Sequence, residues 1–279
     1  MKTCLDCIPC FARQALEAAK MATDDKTKQE KALKKVLSEL GKTSLEGKIP
    51  SDISHKVHHI VREVTGNNDP YKKLKDEYNR KALRMYPTLK QKVAESEDRL
   101  LTATKLAIAG NIIDFGPGYK FNLEKTIAEV LVQDFAIDHF SRFRKALQRS
   151  EKIIYLGDNA GEIVFDRILL EELKDKEITF VVKGGPIIND ATVEDAKFAG
   201  IEKIAEIKTV SNGEPGTGPK RNSKKFIDFL KSADVVVSKG QGNYEALSEV
   251  NANIFFLLQV KCQVIADDMG VKVGSAVMK

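Results

Sequence analysis

From Lys152 onward the chain changes its hydrophobic period, and that change limits the folds open to it more than any single motif does. Short, β-branched apolar runs recur at 153–156, 178–182, 204–209, 235–238 and 254–258, with 271–273 as a last candidate. Runs of this length, bounded by glycine and polar residues, read as buried strands, and the helical-period stretches between them predict βαβ units. The expected architecture is a three-layer α/β sandwich with a largely parallel central sheet. Over roughly the first hundred residues no convincing strand occurs. Apolar positions three and four apart predict helices over 11–21, 26–40, 52–64, 70–85 and 100–108, then 123–132 and 136–148. Ala32, Leu33, Val36, Leu37 and Leu40 share one face before Gly41 stops the second of these, and Pro70 suits a first helical turn. The chain therefore divides into a helical domain or cap over 1–100 and an α/β catalytic domain over 101–279.

Three of the expected strands run into glycine and polar residues: Gly157-Asp158-Asn159, Lys183-Gly184-Gly185-Pro186 and Lys239-Gly240-Gln241-Gly242-Asn243. In an open parallel sheet the carboxyl ends of the strands form one rim, and ligands bind there. Asp158, Asn159 and Glu162 would meet Lys183, Asn189 and Asp190 on that rim, together with Lys239, Gly240, Asn243 and Glu245. An ordinary turn with Asp158 or Asn159 capping the next helix is the structural alternative; recurrence at three strand ends favours a site. The oxygen donors Asp158, Asn159 and Asp190 suit a hard divalent cation such as Mg²⁺ or Mn²⁺. Lysines and glycine-flanked amides beside it suit an anion. A cation next to an anion cradle is the equipment of phosphate chemistry. At Ala109-Gly110-Asn111-Ile112-Ile113-Asp114-Phe115-Gly116, Asn111 and Asp114 add a polar pair among apolar residues, with helix capping as their structural alternative. The longest loop, 211–222, follows a strand and would cover the same rim.

Composition narrows the class. With 42% hydrophobic and 30% charged residues the chain is of globular type. It has no apolar run of the roughly 20 residues a spanning helix needs, and its amino terminus has no signal-peptide core, so no membrane partner and a cytoplasmic location are expected. A net charge of +5 spread over 45 basic and 40 acidic residues is no nucleic-acid footprint. Cys4, Cys7 and Cys10 form Cys-x-x-Cys-x-x-Cys; a disulfide framework is not expected here, which leaves a metal or redox site, or small residues on a first helix. A closed metal site would need a fourth ligand from Cys262 or a histidine. His55, His58 and His59 share a helix face without a partnering carboxylate and are expected on a solvated surface. Walker A, Gly-x-Gly-x-x-Gly and a nucleophile elbow are all absent, and the second strand ends in Lys183 where a ribose-binding carboxylate would stand.

Four ordered motifs then carry a family resemblance: Gly157-Asp158-Asn159-Ala160-Gly161-Glu162-x-x-Phe165-Asp166; Lys183-x-x-Pro186-x-x-Asn189-Asp190-Ala191-Thr192; Ser238-Lys239-Gly240-Gln241-Gly242-Asn243-Tyr244-Glu245; and Lys261-Cys262. Together with Ala109-Gly110-Asn111-x-x-Asp114-Phe115 they resemble the damage-control phosphatases, a family long catalogued as a domain of unknown function. Cys4-x-x-Cys7 matches the subfamily marked by such a pair. The resemblance implies a metal-dependent phosphatase acting on small phosphorylated metabolites, damaged or side-product sugar phosphates or nucleotides, with purine nucleotides or their precursors associated with the cysteine-pair subfamily. It implies Mn²⁺, Ni²⁺, Co²⁺ or Mg²⁺ held by Asp158, Asn159 and Asp190 as the catalytic centre. Around them Asn111, Asp114, Glu162, Lys183, Asn189, Lys239, Gly240 and Asn243 are the expected substrate-side residues, with Lys239 and the amides near Gly240 and Gly242 on phosphoryl oxygens. The general base has no assignment. An S-adenosylmethionine-dependent carboxyl methyltransferase, and a metabolite-binding or redox module built on the cysteines, stand as alternatives. Oligomeric state is not legible in the sequence.

Overall fold

The computed structural model describes residues 2–111, 128–129, 131–214, 218–220 and 223–279. Five helices come first: α1 (Cys7–Ala22), α2 (Lys26–Lys42), α3 (Pro50–Thr65), α4 (Lys72–Glu95) and α5 (Arg99–Gly110). The capping chemistry is readable. Asp25 accepts the amides of Thr27 and Lys28 to open α2, and Gly66 closes α3 in the left-handed conformation.

Then follow β1 (Ile137–Asp138), α6 (Phe140–Arg149), β2 (Lys152–Leu156), α7 (Glu162–Glu171), β3 (Glu177–Lys183), α8 (Val193–Phe198) and β4 (Glu206–Val210). The remainder is α9 (Lys224–Lys231), β5 (Val235–Lys239), α10 (Gln241–Leu247), β6 (Ile254–Gln259), α11 (Gln263–Met269) and β7 (Ala276–Met278). The seven strands form one sheet in the order β1-β7-β6-β5-β2-β3-β4. Among the described residues every strand pairing is parallel except β6 with β7. The sandwich expected from the alternation is therefore present, with helices on both faces of a mostly parallel sheet.

Two expectations change. Residues 271–273 are not a strand; the last strand lies at Ala276–Met278. The helix expected over 136–148 starts only at Phe140, because Ile137 and Asp138 pair with Val277 and Met278 as β1. A two-residue edge strand has no periodicity to reveal it.

Alternate residues of the central strands feed opposite cores, as period-two geometry requires. Ile153, Tyr155, Phe180, Val182, Val235 and Val237 face a core completed by α5, α7 and the Ala82, Leu89 and Val93 side of α4. Ile154, Leu156, Val181 and Val236 face Phe226, Leu230, Tyr244, Leu247 and Ile265. A third cluster, with Phe11, Ala15, Val36, Val57 and Val61, holds α1, α2 and α3 together. No helix among the described residues is long and apolar enough to cross a membrane.

Strand order sets the position of the site. From β2 the chain proceeds outward to β3 and β4, then returns to lay β5 on the other side of β2. The crevice between the ends of β2 and β5 is thus the topological switch point, where open α/β sheets hold ligands. Asp158 follows one of these strands and Gly240 the other.

Candidate active site

The turn after β2 packs directly on the end of β5. Gly240 has φ +76°, and a Cβ there would lie 1.8 Å from Asp158 Oδ2. Only a residue without a side chain leaves room for that carboxylate. Two amides fix the oxygen: Asn111 Nδ2 donates to Asp158 Oδ2 at 3.1 Å and Asn159 Nδ2 at 3.0 Å. Both also donate to Glu162 Oε2, at 3.2 and 3.0 Å. Glu162 opens α7, so its charge sits where the helix amides favour it. Asn111 Oδ1 accepts the amide of Gln259 at 3.1 Å, tying this arrangement to the end of β6.

Asp190 comes from the turn after β3. Asn159 and Asp190 form an antiparallel bridge; Ala160 N donates to Asn189 O at 2.9 Å and Ala191 N to Asp158 O at 2.8 Å. The two turns expected to share a cation are thus stitched together through their backbones. Because both neighbouring carboxylates claim the amide nitrogen of Asn159, its Oδ1 is turned away from them as an acceptor. Lys183 Nζ lies 3.3 Å from Asp190 Oδ2, with both side chains largely buried.

Beneath the turn is a buried charge cluster. Lys239 is fully buried and donates to Ala107 O at 2.7 Å, Glu162 Oε1 at 2.8 Å and Asp166 Oδ1 at 2.6 Å. An ammonium has three protons, and all three are engaged. Ala107 lies in the last turn of α5, whose carbonyls carry partial negative charge. Burial pulls the Lys239 pKa down, but Asp166 and Glu162 outweigh it and the net shift is upward. Burial pushes the Asp166 carboxyl above the usual carboxylate range against the pull of Lys239. Tyr155, whose hydroxyl is raised far above its ordinary value by burial, donates to Asp166 Oδ1 at 2.8 Å.

This geometry corrects part of the expected substrate-side set. Lys239 has no donor left for a phosphoryl oxygen. Gly240 donates its amide to Leu257 O at 3.2 Å and contributes space instead. Asn243 Nδ2 is held by Lys239 O at 2.8 Å and Gly157 O at 3.3 Å. Asn111 and Glu162 are fully buried and orient Asp158 and Asn159. Asp114 lies outside the described residues. Lys183 and Asn189 remain beside Asp190; Asn189 Nδ2 is buried and meets no hydrogen-bond acceptor among the described residues.

Asp166 and Tyr155 were not among the candidates drawn from the sequence, although Asp166 stands four residues after Glu162 and so on the same helix face. Asn79 was also missed. It accepts Gly161 N at 2.6 Å and donates to Asp195 Oδ1 at 2.8 Å.

At the amino terminus, Cys4 and Cys7 have their sulfurs 3.7 Å apart as free thiols; burial raises Cys7 to about 11, and Cys10 is exposed. Among the described residues no three His, Cys, Asp or Glu side chains gather as a ligand set. The Asp158–Asn159–Asp190 group supplies two carboxylates and an amide. The solvated histidine face is corrected for His58, which is buried against Tyr71 and Gln14. A cavity of about 460 Å³ lies between α3 and the segment after β4, lined by His55, His59, Arg62, Asn212 and Glu214. It does not include the Asp158 turn.

A doubly wound α/β protein with an acid–amide centre at the switch point of its sheet is the class that fold and site define. Residues 3–277 match the damage-control phosphatase ARMT1-like domain. The chain is 36% identical to the damage-control phosphatase PH1575 of Pyrococcus horikoshii, over 99% of this chain and 97% of that one. A damage-control phosphatase of Archaeoglobus fulgidus is also 36% identical, over 98% and 97% of the two chains. The crystal structure of the Pyrococcus protein, described as a DUF89 family protein, superposes with a TM-score of 0.85 at 34% identity, covering 100% of this chain and 98% of that one. The chain belongs to the damage-control phosphatase family and is a phosphatase.

Proposed function

We propose that this phosphatase is a metal-dependent phosphomonoesterase for small phosphorylated metabolites, with Asp158, Asn159 and Asp190 as the residues that would hold a divalent cation. The observation that carries the reading is the double restraint on Asn159. Its backbone bridges to Asp190, while its amide nitrogen is engaged by Asp158 and Glu162. That leaves an all-oxygen donor set from two turns, which suits Mg²⁺, Mn²⁺, Co²⁺ or Ni²⁺. When bound, such a cation supplies positive charge against phosphoryl oxygens and lowers the pKa of a water.

The chain's own residues do the rest. Asn111 and the amide of Asn159 hold Asp158 Oδ2, so the carboxylate is fixed before substrate arrives. Glu162 holds both amides, and Lys239 with Asp166 holds Glu162 in place. Preorganisation of this kind removes a reorganisation cost from the reaction. Lys183, paired with Asp190 at the edge of the donor set, is the group we assign to a phosphoryl oxygen in place of Lys239.

The test is hydrolysis of p-nitrophenyl phosphate by metal-stripped protein resupplied with each cation in turn. Asp158→Ala is expected to abolish cation-dependent turnover while the circular dichroism spectrum stays unchanged. Turnover equal to that of the wild type would remove Asp158 from the centre.

A further inference from the structure

The buried stripe of α4 runs through residues 75, 79, 82, 89 and 93. Three of these positions are apolar, as a core-facing stripe should be, but Lys75 and Asn79 are 2% and 1% exposed. Burying an amide and an ammonium is costly unless each finds partners. Lys75 pairs with Asp69 at 2.9 Å and lies 3.6 Å from Asp195. Asn79 reaches two turns at once. Its Oδ1 accepts the Gly161 amide, in the turn that carries Asp158 and Asn159, and its Nδ2 donates to Asp195. Asp195 receives the amide and hydroxyl of Thr192 at 2.9 and 2.7 Å, closing the turn that carries Asp190. α4 also lies directly on the first turn: Gly161 has φ +80°, and a Cβ there would come within 3.1 Å of Tyr78 Cβ.

We propose that Asn79 is a positioning residue of the phosphatase centre. One carboxamide, supplied by α4, clamps the Asp158–Asn159 turn to the Asp190 turn and so sets the spacing of the three cation-holding side chains. The proposal rests on the reading that those residues hold a cation. A leucine at this position would pack in the stripe with no amide to satisfy, so a polar residue here points to a task beyond packing. The amide's two ends face opposite partners, and neither a pure donor nor a pure acceptor fits both. Groups that orient metal-holding residues typically change metal affinity 10- to 100-fold when altered.

The pair Asn79–Asp195 can be exchanged. Asn79→Asp keeps an acceptor for Gly161 but sets two carboxylates against each other; Asp195→Asn sets two amides against each other. The double variant Asn79→Asp/Asp195→Asn restores one acceptor and one donor with the charge count unchanged. Titration of metal-stripped protein with Mn²⁺ in a calorimeter is the measurement, alongside the melting temperature of each variant. Each single variant is expected to bind Mn²⁺ about tenfold more weakly, and the double variant to return to within about threefold of the wild type, because coupled residues fail additivity. Single variants that lose melting temperature but keep wild-type affinity in the folded state would overturn the proposal, and so would a double variant no better than the sum of the singles. If wild-type protein binds none of the four divalent cations, the cation reading fails on its own. The clamp is then judged by hydrogen exchange at the Gly161 amide, which Asn79→Leu should accelerate; unchanged exchange sinks the clamp independently.

Discussion

Lys183 and Lys239 stand at the ends of neighbouring strands on either side of β2, each followed by glycine, and the molecule uses them in opposite ways. Lys239 meets two carboxylates and a helix-terminal carbonyl, and no accessible surface is left to it. Lys183 meets one carboxylate, that of Asp190, with little exposure of its own. The first is a counterion built into the core; the second is an ammonium at the edge of the acid–amide centre. His58 extends the series to a buried base that faces no carboxylate: burial, with the Arg62 charge adding to it, lowers its pKa to about 3. The number of acidic partners, not burial itself, decides whether a buried base stays charged.

The series can be broken at each member. Lys239→Met should have the largest effect, because it leaves Glu162 and Asp166 buried without their cation. The expected loss is about 3–5 kcal/mol of folding stability, read by urea denaturation. A loss under about 1 kcal/mol, the range of exposed pairs, would mean that the cluster is not the counterion system described.

His58 comes next. Below about pH 6.5 the unfolded chain takes up a proton that the folded chain refuses until about pH 3. Stability should therefore fall as pH drops through that window, by about 3 kcal/mol between pH 7 and pH 4 at 1.4 kcal/mol per unit. The comparison is the pH slope of wild type against His58→Phe, whose slope should be shallower. Parallel slopes would show that His58 titrates normally.

Lys183→Met should have the smallest effect on stability, about 1–3 kcal/mol for a single, partly buried carboxylate left without its partner, with a fall of about 100- to 1,000-fold in kcat/KM. The reverse pattern, a large stability loss with turnover intact, would make the two lysines alike after all.

Much of the fold could be read from the chain, for reasons that name themselves. The central strands are β-branched runs buried on both faces, so their signal does not depend on partners distant in sequence. The turn at Gly157-Asp158-Asn159 and its meeting with Asp190 were likewise legible, since strand ends share a rim. The role of Lys239 was not. Ser238-Lys239-Gly240 has the local look of a phosphate-binding segment, and what removes the lysine from that role comes from Ala107, Glu162 and Asp166 on two other helices. Asn79 gave no usable signal either, because a polar residue on a charged helix reads as solvent-facing until the rest of the stripe is known to be buried. His58 failed in the same way: its neighbours His55 and His59 are partly or fully exposed, and one face of α3 carries both environments.

The short strand β1 has a consequence for how the sheet is assembled. Among the described residues its one neighbour in the strand order is β7, which lies antiparallel against β6; His139 N donates to Met278 O on one side, and Phe256 N to Lys279 O, just past β7, on the other. During synthesis, residues 137–138 leave the ribosome long before their ladder partner exists. That edge cannot pair until residues 276–278 have been made, whatever the order in which β2 through β6 form. Deleting those three residues should therefore open two seams in the sheet rather than fray one end.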